Sequence, residues 1–159
     1  MKTKLFIVMA IAIIALAIIG CKQDTPLADT PLADTPRVQP DTPRNLSFGT
    51  PARTVTIKSD DQFTAAEWKT LCDKVVAAIE RGYNALPNEG AKNSVSSYFA
   101  NHTVSVVLLK SATYDVELKN SAPNIMYFKA NTSTIDGLSG GNLNTILTHL
   151  LGGEAFHTP

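Results

Sequence analysis

Cysteine, charge imbalance and usable groupings of catalytic side chains are what this sequence has least of. Cys21 and Cys72 are its two cysteines. They are too few for a disulfide-stapled scaffold, so a folded domain must hold together by its apolar core. Fourteen basic side chains balance fourteen acidic ones. A formal net charge of zero gives no reason to expect nucleic acid or a strongly charged partner. No paired carboxylates, no nucleophile with a base at local spacing and no four-ligand metal set stand out. The sequence therefore offers no catalytic residue, no metal and no cofactor, and points away from an enzyme.

What is present begins at the N-terminal end. Met1-Lys2-Thr3-Lys4 is basic, and Leu5 to Ile19 is a run of fifteen residues without a polar side chain, leading into Gly20 and Cys21. That is the layout of a secretory signal. A bilayer span needs about 20 apolar helical residues, and this run stops short of that, so a membrane-spanning helix is the weaker reading. Ile18-Ile19-Gly20-Cys21 resembles the lipobox of bacterial lipoproteins. The resemblance implies that residues 1–20 are a signal peptide cut before Cys21, and that Cys21 is acylated and holds the protein on a lipid bilayer. Each buried methylene of an acyl chain contributes about 0.8 kcal/mol, and two or more chains make such an anchor stable.

From Lys22 to about Arg53 the chain is rich in proline and poor in large apolar side chains. It repeats Asp-Thr-Pro at Asp24, Asp29, Asp34 and Asp41. Proline removes a backbone donor and disfavours helical geometry in the residue before it. Folded arrays need an apolar face in each repeat of roughly 20 to 50 residues, which so short a unit cannot supply. Residues 21–53 therefore read as a solvated tether rather than a proline-rich ligand or a site of threonine modification. At ~3.1 Å per residue, a stiff spacer of some thirty residues would reach on the order of 90 Å.

Residues 54–159 read as one small domain. Thr54 to Lys58 alternates apolar and polar residues and predicts a first strand. Thr64 with Glu67 makes a capping box, and Phe63 can pack on Trp68 as a hydrophobic staple. Trp68, Leu71, Cys72, Val75, Ile79, Tyr83 and Leu86 then mark the buried stripe of a long helix, ended by Pro87 and Gly90. A shorter helix is expected over 91–100. Val104 to Leu109 is apolar on both faces and should be central, a strand near Tyr114 to Lys119 should have one wet face, and Ile125 to Ala130 is the third of this group. Short connections favour antiparallel pairing. A loop around Asp136-Gly137 precedes a last helix over 142–151. The order β-α-α-β-β-β-α predicts an α+β fold, a mostly antiparallel sheet of about four strands with helices on one face.

Within that domain each chemically suggestive residue has a structural explanation. Cys72 lies on the buried stripe, where a thiol behaves as a small hydrophobe. His149, Glu154 and His157 are the one group of metal-capable side chains, at a spacing that matches no compact site. Ser139-Gly140-Gly141-Asn142 could present amides to an anion but fits a helix entry capped by Asn142 equally. Tyr83, Tyr98, Phe99, Tyr127 and Phe128 fall mostly at core positions. Asn101-His102-Thr103 has the form of a glycosylation acceptor, which a bacterial lipoprotein gives no reason to use.

The segment Ile146-Leu147-Thr148-His149-Leu150-Leu151-Gly152-Gly153-Glu154-Ala155-Phe156 resembles the phrase that begins repeats in BspA-like leucine-rich-repeat surface proteins of oral bacteria and spirochaetes. One copy cannot form a solenoid, so the resemblance implies at most the N-terminal module of such a protein. With the lipobox, it implies a lipid-anchored outer-membrane or cell-surface binding module, adhesin-like, whose partner is a host or envelope protein. The alternative expectation is a periplasm-facing lipoprotein of envelope maintenance or assembly, or a weak enzyme. No ligand-binding residue is identified at this level.

Overall fold

In the computed structural model, residues 35–119 and 121–155 are described. The expected signal peptide and Cys21 lie outside these residues. The first elements are β1 (Arg37–Val38), β2 (Thr42–Leu46), β3 (Arg53–Lys58) and β4 (Gln62–Phe63). The helices α1 (Ala65–Asn84) and α2 (Glu89–Asn101) follow, then β5 (Val104–Leu109), β6 (Val116–Lys119) and β7 (Ala122–Lys129), then α3 (Thr132–Gly137) and α4 (Gly140–Ala155).

The long helix starts where its cap dictates. Thr64 Oγ1 accepts from the Glu67 amide at 3.2 Å, while the Glu67 carboxylate accepts from the Thr64 amide at 2.8 Å. Outside that cap, the Phe63 and Trp68 rings pack at 5.7 Å. Trp68, Leu71, Cys72, Val75 and Ile79 of the predicted stripe are buried, joined by Ala78, whereas Tyr83 is half-buried. Asn88 caps α2 by accepting from the Ala91 amide at 2.9 Å.

The main sheet has five strands in the order β2-β3-β5-β7-β6, and a two-stranded ribbon joins β1 to β4. β3, β5 and β7 run parallel, while the edge strands β2 and β6 pair antiparallel with β3 and β7. The expected mostly antiparallel sheet of about four strands is thus corrected to a mixed one. The physical reason is the routing. β3 reaches β5 through two helices, a connection that suits parallel strands. The short β5–β6 connection does not make a hairpin, because β6 goes to the sheet edge and β7 returns between them.

Among the described residues, burial along the strands of the main sheet is one-sided. Leu46, Val55, Ile57, Val106, Leu108, Met126 and Phe128 are buried on one side, whereas on the other Thr54, Thr56, Lys58, Val107, Leu109, Tyr127 and Lys129 remain partly or fully exposed and only Ser105, between Thr56 and Ile125, is buried. That alternation is the signature of a sheet packed on one side.

Three further differences from the sequence reading are local. The expected domain start at Thr54 falls inside the β2–β3 hairpin, because Leu46 and Phe48 are both buried and draw β2 onto the sheet. Its edge position is compatible with Pro43, which has no donor to lose there. The fourth Asp-Thr-Pro copy is therefore part of the fold, and Thr42 Oγ1 accepts from the Trp68 indole at 3.0 Å. The loop around Asp136 contains the short α3, whose cap Asn131 accepts from the Thr134 amide at 3.0 Å. Finally, α4 spans Gly140–Ala155 rather than 142–151, since Gly152 and Gly153 do not break it.

Gly82 is where α1 and α4 touch. A β-carbon there would lie 2.6 Å from Leu143 Cβ and 3.1 Å from the Leu143 backbone carbonyl carbon. Backbone cannot yield as a side-chain tip can. Gly82→Val is expected to destabilise the protein by about 1–3 kcal/mol, read as a lower urea midpoint at unchanged slope.

Candidate binding surface

The residues singled out in the sequence disperse. Cys72 is fully buried; burial pushes its thiol up from the ordinary range, opposed by the nearby Arg44 guanidinium. That is the environment of an inert core thiol. His149 is exposed on α4, Glu154 lies on the same helix, and His157 is outside the described residues. Among the described residues no group of three or more His, Cys, Asp or Glu is placed to hold a metal, and no helix is long and apolar enough to cross a membrane.

Ser139, not Asn142, caps α4, its hydroxyl accepting from the Asn142 amide at 3.1 Å. The aromatic residues divide. Phe99 and Phe128 are buried, and Tyr83 stacks on Phe48 at 4.1 Å. Tyr98 is buried, bonded through its hydroxyl to Asn124 and stacked on His102. Tyr127 alone of the five sits on the open face of the sheet.

Two clefts border the helices. One, of about 440 Å³, lies at the carboxyl ends of β5 and β7 and is lined by Phe63, Glu67, Thr70, Lys110 and Asn131 among others. Open α/β sheets commonly bind ligands at such a place. Here its polar groups are turned inward. Thr70 donates to the Ala66 carbonyl, and Lys110 Nζ donates to the Gln62 carbonyl at 2.6 Å and lies over the Phe63 ring. Glu67 is held below the usual carboxylate range, first by the hydrogen bond from the Thr64 backbone and then by that from its hydroxyl.

The other cleft, of about 750 Å³, runs between β2 and α1. Its charges are mostly engaged: Arg44 pairs with Asp73 at 3.5 Å, although its buried Nε has no hydrogen-bond partner among the described residues, and Glu80 accepts from the Ser47 amide at 2.7 Å. A hydrogen bond from Lys69 holds the Asp73 carboxyl below its usual range. Both clefts serve the fold's own polar groups.

The open face of the sheet is different. Register places Lys58 beside Val107, Val107 beside Tyr127, Tyr127 beside Glu117, and Leu109 beside Lys129. Lys119 Nζ lies 4.2 Å over the Tyr127 ring and 3.5 Å from the Glu117 carboxylate. Lys58 and Lys129 make no ion pair among the described residues. On a solvated sheet face the outward positions are ordinarily polar. β5 instead presents Val107 and Leu109, both half-buried, flanked by two ammonium groups that make no ion pair among the described residues.

The sequence of β5 is apolar on both faces, but it does not tell that Val107 and Leu109 on one of them stay half-exposed among the described residues. The signal was available: helices predicted for one face only cannot cover both rows of such a strand. Net neutrality also concealed the local excess of lysine. Comparison with protein-family models, with curated proteins and with solved structures finds no match to this chain.

Proposed function

We propose that this chain is a lipid-anchored bacterial lipoprotein that acts by binding, through the open face of its sheet, at the cell surface. In this reading Cys21 carries the acyl chains, and the proline-rich residues after it hold the domain away from the lipid headgroups. The observation that carries a binding role is the apolar pair Val107 and Leu109 on β5, half-buried on the face of the sheet opposite the core, where outward positions are ordinarily polar. The location rests on Ile18-Ile19-Gly20-Cys21.

Protease treatment of intact cells tests the location. Loss of the domain from whole cells, with an internal periplasmic protein left uncut, is the expected result. Full protection until the outer membrane is opened would sink the surface reading in favour of a periplasm-facing one.

A further inference from the structure

We propose that the open face receives an extended acidic segment of a partner protein, with Lys58 and Lys129 taking its carboxylates and Val107 and Leu109 the apolar side chain between them. This deepens the binding role proposed above and rests on it.

The spacing of the face defines the segment. Lys58 pairs with Val107, and Lys129 pairs with Leu109 two residues further along β5. The two lysines are therefore two strands apart, about 10 Å, and offset along the strands by about 7 Å, which puts them roughly 12 Å from one another. An extended chain rises about 3.3 Å per residue and shows alternate side chains to one side. Acidic residues at the first and fifth positions, with an apolar residue at the third, match both lysines and the aliphatic pair between them. The recognised pattern is acidic–x–apolar–x–acidic.

Other occupants fit less well. In a two-fold dimer through this face, Lys58 and Lys129 would meet the same two lysines of the other copy, and Glu117, the carboxylate beside Tyr127, is already engaged by Lys119. A bilayer needs protruding apolar side chains, whereas Val107 and Leu109 are half-buried between neighbouring strands. The sheet is also a twisted surface, which suits a strand-like ligand crossing it better than a plane. Carboxylates on a partner chain satisfy the lysines, and apolar contact covers β5.

The test uses the full chain in a zwitterionic detergent and a fluorescein-labelled peptide with three units of glutamate-serine-leucine-serine-glutamate. Saturable anisotropy change that weakens with added salt is expected. Lys58→Glu with Lys129→Glu should weaken binding tenfold or more, and Val107→Thr with Leu109→Thr at least threefold. A peptide of the same composition with its glutamates clustered at one end should bind several-fold less tightly. If the charge-reversed protein does not keep the parent thermal midpoint, Lys58→Gln with Lys129→Gln replaces it and should still weaken binding severalfold.

Absence of binding, or binding that these variants leave unchanged, overturns the proposal. So does sedimentation with phosphatidylglycerol vesicles that depends on the same lysines while the peptide does not bind, or a dimer abolished by Val107→Thr. Cells shaved of the domain by protease together with a silent peptide would retain the surface reading and reject this partner. Peptide binding by a protease-protected domain would do the reverse.

Discussion

Phe128→Ala is expected to lower the stability of the domain by about 3–5 kcal/mol, a large part of the roughly 5–15 kcal/mol that holds a typical domain together. Phe128 is fully buried, on β7 between β5 and β6, where its ring meets the helix layer. Truncation leaves a cavity that strands on both sides cannot close without breaking their ladders. Tyr127, one residue earlier, points to the open face and is half-buried. Tyr127→Ala should cost less, about 1–2 kcal/mol, from the covered part of its ring together with the Lys119 contact. Urea unfolding followed by the fluorescence of Trp68, the single tryptophan, measures both. Comparable losses in the two variants would mean that the sheet is covered on both faces, which would remove the basis for a binding face.

Cys21→Ser is expected to abolish incorporation of a clickable fatty acid into the protein, while Cys72→Ser leaves it unchanged. The two cysteines differ in what surrounds them. Cys72 is sealed in the core, so it cannot present a thiol to a membrane enzyme without unfolding. Cys21 follows a small residue at the end of the apolar run. With two or more acyl chains at about 0.8 kcal/mol per buried methylene, the native protein should partition wholly into the detergent phase. Mass spectrometry of the mature N-terminus checks the cut before Cys21. A chain that begins at Met1 and carries no acyl mass would identify a plain signal anchor and remove the lipoprotein reading.

The helical layer was the most legible part of the sequence. Thr64 with Glu67 and Phe63 with Trp68 are contacts between neighbours in the chain, so a local pattern suffices to place the start of α1. The burial stripe of that helix follows from the same periodicity. Strand pairing was less legible, because register and direction depend on routing between distant segments. Val104 to Leu109 announced a central strand, yet nothing local told whether Val116 to Lys119 would pair with it or pass to the edge.

β2 was missed for a chemical reason. Asp-Thr-Pro at Asp41 reads like its three copies upstream, and the signal that it enters a strand comes only from Leu46 and Phe48, which follow it and are buried. The open face had a half-legible signature, a strand apolar on both sides under a one-sided helix cover. Lys58 and Lys129 could not be joined to it before the register of β3, β5 and β7 was known.

The incorporation of the fourth Asp-Thr-Pro copy into β2 has a mechanical consequence. Tension on the chain ahead of residue 35 enters the domain at β1, whose pairing with β4 is two residues long and is reinforced by Gln39 donating to the Phe63 carbonyl at 2.8 Å. It passes next to β2, an outermost strand joined on one side only, through five paired residues and the Trp68–Thr42 bond. These two elements act as fuses in series. Under load they peel away first, and their release precedes any disturbance of the three parallel strands that carry Lys58, Val107, Leu109 and Lys129.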